Sequence, residues 1–495
     1  MRILVHVTDP TFLRHFWSVL QSLARRGHTV RIASPEHRTD IPLPAALRGR
    51  ERIEFLSCPE HRGDALGGRI GELRALRDSL RYLDRTFDGA PKLRARAFRK
   101  LLKGLSGGEH AHLAARCPHC AESLAGEEVA RMLGGDAGLL PRLASLLAAV
   151  EDAIPSDGRI EAFLREERPD VMVVTPLVRI GSHQADYVKS AQALGVPVVF
   201  PVFSWDNLST KGLIHVQPDR VLVWNEWQRA EAIDMHQVPA ERIVVTGAPR
   251  FDSFFAMRPK MTRERFCRKL RLDPAQPIVT YLCSSNFVAG RERDFVVRWI
   301  DEVRRVPALA ASNIVIRPHP RETEQWKKFK RPAAQVAVAF PRSIAIDQTL
   351  YDTVHHSVAV VGLNTSAELE AGIVGRPVLT ILAPDYAEGQ QGTVHFQYLL
   401  KARGGFVEVA EDFAAHRRHL ATAAAGGYDS AAIRASIERF LRPHGLERRA
   451  TPLMVEAIEN AARRRHAGRA ERAAARAWHH FRSRLAVLRR GAMLH

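Results

Sequence analysis

The sequence predicts an α/β protein made of two doubly wound domains in tandem, and three observations lead to this fold class. Short apolar segments recur along the chain, and the stretches between them carry helical periodicity. Strand–helix–strand units with short connections form parallel sheets. The length of 495 residues predicts about three domains, with two large ones equally plausible.

The first strand–helix–strand unit opens the chain. Residues 2–6 form an apolar strand, residues 13–26 have helix-spaced leucines, and residues 29–33 form the next strand. We expect an N-terminal domain over residues 1–255, with a helical, arginine-rich insertion at about 60–155. After the insertion, strands are predicted at 171–175, 196–203 and 220–224.

A second α/β series predicts a C-terminal domain over residues 256–450. Its strands are expected at 278–282, 314–317, 336–339, 358–362 and 378–381. Two such domains leave a cleft between them, and ligands of open parallel sheets bind at the carboxyl ends of the strands. We therefore expect the functional residues directly after strands.

The charge predicts a polyanionic partner. Lys and Arg number 73 and Asp and Glu 54, giving a formal net charge of +19 that suits a phospholipid surface, a nucleic acid or a phosphorylated substrate. The sequence has no apolar run long enough to span a membrane and no signal peptide, and it has only five cysteines. These features predict a cytoplasmic protein, peripheral on the inner face of the cell membrane.

The C-terminal segment 451–495 is predicted to be a basic helix. From Arg463 onward it has ten arginines and one glutamate, and Trp478, Phe481, Leu485 and Leu488 fall on one helical face. Attachment to an anionic membrane and packing on the body of the protein both remain open. A nucleic-acid partner is unlikely, because no recognised binding motif accompanies the charge.

The strongest functional motif is the segment from Arg317 to Arg321, which directly follows a strand. Two guanidinium groups, of Arg317 and Arg321, with the imidazole of His319 between them suit a phosphate group. The alternative is a surface turn stiffened by its two prolines.

A second motif, residues 362–370, lies between a strand and a helix. Thr365 or Ser366 is expected to cap the helix, whose free amides can hold a phosphate, and Glu370 is placed to accept hydrogen bonds from ribose hydroxyls. Plain capping with an acid that compensates the helix dipole would also explain Ser366 and Glu368. The donor-binding candidates of this segment are Asn364, Thr365, Ser366, Glu368 and Glu370.

Two weaker motifs complete the predicted cleft. Ser284, Ser285 and Asn286 follow a strand and offer further donor-side hydrogen bonds. Trp205, Asp206 and Asn207 follow a strand of the first domain, where an aromatic face beside polar groups suits sugar binding. Trp205 and Asn207 are the predicted acceptor-binding residues, with a packed loop as the alternative.

Several of these segments resemble GT-B-fold glycosyltransferases. Residues 26–30 match the "RGHxV" sequence that commonly ends the first strand–helix–strand unit of these proteins, which have two Rossmann-like domains. Residues 317–321 resemble the His-Pro motif of bacterial sialyltransferases and CDP-glycerol glycerophosphotransferases. Residues 364–377 resemble the donor-nucleotide segment that these share with UDP-N-acetylglucosamine 2-epimerases. The resemblance covers residues 1–55 and 165–410. It implies that His319 contacts the donor phosphate, Thr365 and Ser366 the phosphate or sugar, and Glu370 the ribose.

The predicted function is the transfer of a sugar from a nucleotide-sugar donor to a surface-polysaccharide or lipid-linked acceptor, without metal or other cofactor. The alternatives are a glycerophosphotransferase and a non-catalytic scaffold that binds anionic lipid or nucleic acid. The epimerase pattern Gly-Thr-Arg-Pro-Glu is replaced here by residues 6–10, which argues against epimerase activity. Candidates for the base that deprotonates the acceptor are Asp9, His15 and Asp206.

A zinc site is a further hypothesis. Cys58, His61, Cys117 and Cys120 would supply an acceptable tetrahedral set, although the distance along the chain between the two pairs is long. Reduced, unligated cysteines are the favoured interpretation.

Overall fold

The computed structural model describes residues 1–35, 52–104, 138–329, 335–341 and 348–463. These residues form two fully parallel sheets, with strand orders β3-β2-β1-β4-β5-β6-β7 and β10-β9-β8-β11-β12-β13. The strands of the first sheet are β1 Arg2–Val7, β2 Thr29–Pro35, β3 Ile53–Cys58, β4 Val171–Thr175, β5 Val198–Pro201, β6 Arg220–Val223 and β7 Ile243–Val245. Those of the second are β8 Ile278–Leu282, β9 Asn313–Arg317, β10 Val336–Val338, β11 Ala359–Gly362, β12 Val378–Ile381 and β13 Val407–Ala410.

Helices cover both faces of each sheet. In the described residues before β8 they are α1 Trp17–Arg25, α2 Gly67–Arg81, α3 Pro91–Gly104, α4 Leu139–Ala153, α5 Gly158–Glu167, α6 Gln184–Ala193, α7 Asn207–Thr210, α8 Glu226–His236, α9 Asp252–Phe255 and α10 Arg263–Leu270. Those that follow are α11 Glu292–Arg304, α12 Glu324–Lys327, α13 Gln348–His355, α14 Ala367–Ile373, α15 Val394–Gln397, α16 Phe413–Ala424, α17 Ser430–Leu441 and α18, residues 450–463.

The central strands are apolar along their length because helices bury both of their faces. Every residue of β4, β8, β9 and β12 is buried. In the first sheet Val5 pairs with Ile32 on one side and Val173 on the other, so the carboxyl ends of β1, β2 and β4 share one edge. The strand predictions for these elements are confirmed.

Three strands were not predicted: β3, β7 and β13. All three lie at sheet edges, where partly exposed residues weaken the apolar signal. The first predicted helix is also divided in two. A 3-10 helix over Pro10–His15 comes first, and α1 begins only after Phe16, so residues 13–26 are not one helix.

The helical segment between β3 and β4 contacts both halves of the molecule. Tyr82, Phe87 and Leu93 form a small core with Met235 from the first half and Phe287 from the second. The Lys92 ammonium and the Arg96 guanidinium lie over the Phe287 ring, 5.3 and 4.8 Å from its centroid. Helix α3 therefore packs against the loop that follows β8.

The final described helix, α18, returns to the first sheet. Met454 and Val455 pack in the core beneath β1, and the Glu459 carboxylate accepts hydrogen bonds from Arg26 Nη1 at 2.9 Å and bonds His28 Nε2 at 2.8 Å. Most of the predicted basic helix, residues 464–495, lies outside the described residues. Among those described, no helix is long and apolar enough to cross a membrane.

Candidate functional site

The first βα loop places Asp9, Arg14 and His15 at the carboxyl end of β1. Asp9 Oδ1 accepts a hydrogen bond from the Thr11 amide at 2.9 Å, which caps the short 3-10 helix. The helix turns the next residues inward, and Arg14 Nε donates to His15 Nε2 at 3.1 Å. His15 is buried, and burial together with Arg250, Arg14 and Arg321 holds its pKa well below the usual range, so the imidazole is neutral.

The His-Pro loop brings its three predicted residues to the carboxyl end of β9. Arg317 Nη1 donates to the carbonyls of Ala339 at 3.0 Å and Phe340 at 3.2 Å, which fixes its guanidinium in place. His319 Nδ1 accepts a hydrogen bond from the Arg321 amide at 3.2 Å. That contact leaves the proton of the neutral ring on Nε2, where it can be donated to a ligand.

Arginines from both halves of the molecule converge at these loops. Burial first, then Arg250 and Arg321, lowers the pKa of Arg14 to about 10, against the opposing effect of Asp9. Burial, Arg321 and Arg14 likewise lower the pKa of His319 to about 4. These mutual interactions place residues of the β1, β7 and β9 loops in one group, and Glu370, which acts on both Arg250 and Arg317, adds Arg317 to it. We call Arg14, Arg250, Arg317 and Arg321 the cleft arginines.

The cleft arginines have an acidic neighbour in Glu370. Its Oε1 lies 3.6 Å from Arg250 Nη2, and burial raises the pKa of Glu370 although Arg250 and Arg317 oppose that rise. With Asp9 near Arg14, two carboxyl groups face four guanidinium groups. This excess of positive charge, in partly buried surroundings, suits an oxyanion with several oxygens, such as a diphosphate.

Sequence reasoning missed Arg14 and Arg250. The signal for Arg250 is the Gly-Ala-Pro-Arg segment that begins one residue after β7 ends. Gly247 has φ +80°, and a Cβ there would lie 2.8 Å from the Leu441 carbonyl oxygen, so only glycine fits the turn. Pro249 then starts a 3-10 helix that carries Arg250 to the cleft. Nothing in the local sequence marks Arg14, because an arginine within a predicted helix is common on protein surfaces.

The segment 362–370 departs from its expected chemistry. Ser366 occupies the N-cap position of α14 but makes no side-chain capping bond, and the Thr365 amide instead donates to Glu368 Oε2 at 3.4 Å. The prediction that Thr365 or Ser366 caps the helix through its side chain is therefore wrong. Glu368 is fully buried and its pKa is raised to about 8 by burial, so it is neutral at pH 7 and does not compensate the helix dipole as a charge.

Asn364 and Asn286 serve contacts within the protein. Asn364 Nδ2 donates to the Gly389 carbonyl at 2.8 Å and to Thr393 Oγ1 at 3.0 Å, which holds the loop after β12 against the loop after β11. Asn286 Nδ2 donates to Glu322 Oε2 at 2.5 Å and so joins the loops after β8 and β9. These bonds favour positioning roles for both side chains.

Ser284 and Ser285 also help to build the loop after β8. The buried Ser284 donates its amide to Glu292 Oε2 at 2.9 Å, and the Ser285 carbonyl accepts from the amides of Val288 and Ala289. The first contact ties the loop to the start of α11. Both serines remain at the carboxyl end of β8, beside the His-Pro loop.

Trp205 and Asn207 are buried where the two halves of the molecule meet, and Asp206 between them is half-buried. The Trp205 ring lies 4.5 Å from the His395 ring and is 6% exposed, and Asn207 Oδ1 accepts from the amides of Phe203 and Ser204 at 3.1 Å. This burial is at odds with the predicted sugar-binding roles of Trp205 and Asn207. Asp206 Oδ2 accepts from Lys211 Nζ at 2.8 Å.

The Asp206 carboxylate is therefore a weak base. Burial alone would raise its pKa, but Lys211 and His395 outweigh that effect and hold the pKa of Asp206 well below its usual range. A proton acceptor needs a pKa closer to the working pH. The ion pair favours a structural role for Asp206.

The predicted cysteine cluster is only partly described. Cys58 is buried, which raises the pKa of its thiol to about 11, whereas His61 is exposed. Cys117 and Cys120 lie outside the described residues. Within the residues that are described, no three His, Cys, Asp or Glu side chains form a group that could hold a metal ion.

Comparison with known proteins identifies the fold. No family model matches the sequence, and no curated protein matches it. The structure is similar to that of UDP-GlcNAc 2-epimerase from Neisseria meningitidis bound to UDP-GlcNAc, with 10% identity, TM-score 0.50 and coverage of 93% of this chain and 100% of the other. It is also similar to a glycosyltransferase from Rickettsia africae, with 10% identity, TM-score 0.49 and coverage of 94% and 98%. The match to the Neisseria structure and the two parallel sheets show that this chain has the two-domain α/β fold called GT-B.

Proposed function

We propose that this protein is a glycosyltransferase that moves a sugar from a nucleotide-sugar donor to a surface-polysaccharide or lipid-linked acceptor. One observation carries the proposal: the cleft arginines and His319 come from loops of both sheets and present an excess of positive charge at the strand ends. The Neisseria structure of the same fold holds UDP-GlcNAc, which supports a ligand of this class.

The donor diphosphate binds, in this proposal, between the first βα loop and the His-Pro loop. His319 donates its Nε2 proton to a phosphate oxygen, and Arg14 and Arg321 neutralise charge from opposite sides. As the bond between sugar and diphosphate breaks, negative charge grows on the leaving group, and these groups stabilise it most strongly at that stage. Glu370 remains the proposed ribose contact, with the side chain held near Arg250.

The base that activates the acceptor hydroxyl is Asp9 in this proposal. His15 Nε2 already accepts from Arg14, and Asp206 is paired with Lys211, so both are poor proton acceptors. Asp9 is half-buried beside the cleft arginines, at the carboxyl end of β1, and the Thr11 amide holds its side chain in place. Asp9→Asn should retain nucleotide affinity and lose turnover by ~10²–10⁴-fold, whereas Asp206→Asn should affect mainly stability.

A two-stage experiment tests the proposed function. Thermal shifts with CMP, CDP, UDP and GDP and their sugars would first identify the nucleotide, and the matching labelled nucleotide-sugar would then be incubated with membrane extracts to detect label in glycan or lipid. Selective stabilisation followed by sugar transfer supports the proposal. Transfer of glycerol phosphate from labelled CDP-glycerol, in a parallel incubation, would support the phosphotransferase instead, and no selective stabilisation by any nucleotide would support the scaffold.

A further inference from the structure

The helical insertion between β3 and β4 is bound firmly to the first half of the molecule. The hydroxyl of the buried Tyr82 donates to the Lys211 carbonyl at 2.6 Å. The carboxylate of Asp78, also fully buried, accepts from the amides of Gly181 at 2.8 Å and Leu213 at 2.6 Å. Buried polar groups lose much free energy when their partners are removed. These bonds therefore fix the insertion to the loops after β4 and β5, at the carboxyl edge of the first sheet.

The same insertion also reaches the second half, at the loops after β8 and β12. The Phe287 ring of the β8 loop packs on the small core of the insertion, with the cations of Lys92 and Arg96 over the ring. In the β12 loop, a Cβ at Gly392 would lie 2.7 Å from the Gly89 carbonyl oxygen, so the two backbones touch. The insertion thus joins the carboxyl edges of the two sheets across the cleft.

Phe287 is linked in turn to the His-Pro loop. The backbone of residues 285–289 is a closed turn, so Phe287 and its neighbour Asn286 form one unit. Asn286 Nδ2 donates to Glu322 Oε2 at 2.5 Å, and the Glu322 amide donates to the His319 carbonyl at 2.9 Å. Two hydrogen bonds therefore couple the ring that the insertion holds to the loop that carries His319.

The hold on Phe287 is the weakest part of this connection. Cations over a partly exposed ring attract it less strongly than buried donors and acceptors hold one another. The start of the β8 loop has its own anchor, because the Ser284 amide donates to Glu292 Oε2 at 2.9 Å. A substitution at Phe287 should therefore release the tip of the loop and leave the fold of both halves intact.

We propose that Phe287, held by Lys92 and Arg96 of the insertion, is a positioning residue that keeps the His-Pro loop opposite Arg14 across the cleft. This role rests on the proposed function, because it serves the binding of the donor diphosphate. Arg14 and the insertion belong to the first half and His319 to the second, and Arg14 acts on the His319 imidazole across the cleft. The contact at Phe287 therefore sets the distance between the two sides of the anion site.

Hydrogen exchange of the full chain, followed by mass spectrometry, tests the coupling without any ligand. Phe287→Ala should speed exchange in the β8 loop and in the His-Pro loop by about tenfold or more, whereas Phe287→Tyr, which keeps the ring, should stay within about threefold of the wild type. Lys92→Met keeps the apolar stem but removes the cation, and it should speed exchange in both loops by a smaller factor. Phe163→Ala, the matched control, removes a partly buried ring from α5 and should change neither loop.

Titration calorimetry with inorganic pyrophosphate measures the consequence for the anion site. Phe287→Ala should bind pyrophosphate about tenfold more weakly than the wild type, and Phe287→Tyr should bind it within about threefold of the wild type. Exchange in α17 should stay constant in every variant, because its Ile433 and Ile437 belong to a different core from Phe287. A constant rate there shows that the loss of affinity does not come from destabilisation of the whole fold.

Unchanged exchange in the His-Pro loop of Phe287→Ala would overturn the proposal, because that loop would then keep its place without the ring. Unchanged exchange in Lys92→Met would also overturn it, since the insertion would not hold the ring through its charge. The same conclusion follows if Phe287→Ala binds pyrophosphate as tightly as the wild type, or if Phe287→Tyr fails to rescue the affinity. A wild type that binds no pyrophosphate would refute the anion site itself, and with it the proposed function and the role of Phe287 in donor binding.

Discussion

Arg14 offers a prediction in which protein stability and ligand binding change in opposite directions. Its guanidinium is half-buried, donates one hydrogen bond to His15 and lies near Arg250 and Arg321. Burial disfavours its charge most, and without a bound anion the like charges of Arg250 and Arg321 add to that cost. Arg14→Gln should therefore stabilise the ligand-free protein while weakening its affinity for a nucleoside diphosphate.

The magnitude follows from the lowered pKa of Arg14. The pKa falls from an ordinary 12.5 to about 10, so below pH 10 the charge on Arg14 costs the folded state roughly 3 kcal/mol relative to the unfolded chain. Glutamine removes that cost but loses the bond to His15, worth about 1 kcal/mol, and some packing. We expect a net gain of about 1–2 kcal/mol and a loss of binding energy of about 1.5–3 kcal/mol.

Urea unfolding and isothermal titration at pH 7.5 measure the two effects on one sample of protein. Arg25→Gln, an exposed arginine in the last turn of α1, is the matched control and should change neither quantity. An Arg14→Gln variant that is destabilised, or that binds the diphosphate as tightly as the wild type, would refute the reasoning that these like charges form an anion site.

Three further predictions concern other parts of the molecule. His319→Ala should weaken nucleotide affinity by about 10- to 100-fold in titration calorimetry. The control variant Arg298→Ala, at an exposed arginine, should bind the nucleotide as tightly as the wild type. If His319→Ala also binds as tightly as the wild type, His319 does not belong to the site. The raised pKa of Glu368 means that the folded state keeps a proton that the unfolded chain releases, so this group makes stability fall as pH rises from about 4.5 to about 8. Glu368→Gln should therefore gain more stability over the wild type at pH 8 than at pH 5 in urea unfolding, and a gain independent of pH would contradict the assignment. Deleting residues 464–495 should reduce binding to anionic vesicles. Nucleotide affinity should stay constant, because α18 and its Glu459 contacts remain. Vesicle binding that neither the deletion nor added salt reduces would argue against membrane attachment by the tail.

The sequence predicted the central strands well because their burial on both faces leaves a continuous apolar signal. The strands at the sheet edges, such as β3 and β13, were not predicted, because their partly exposed residues interrupt the apolar pattern. The division of the first helix at Phe16 was also hidden, since the leucine spacing continues across a 3-10 segment and an α-helix. Local periodicity does not record such a change of helix type.

For the candidate site, the sequence located the motifs that follow strands. It did not show which of their side chains face a ligand and which pack within the protein. His319 and Arg317 lie at the strand end where the sequence placed them. Trp205 is instead covered by His395, a residue nearly 200 positions away, and that burial depends on how the two halves pack. Arg14 likewise becomes informative only when Arg321 is found near it.

The most direct test of the central claim is a double-mutant cycle for nucleoside diphosphate binding across the cleft. Calorimetric affinities would be measured for the wild type, Arg14→Gln, Arg321→Gln and the double variant. If one diphosphate lies between the two arginines, the losses are non-additive, with a coupling energy of about 1 kcal/mol or more. Additive losses, or affinities unaffected by either change, would contradict a shared anion site in the cleft.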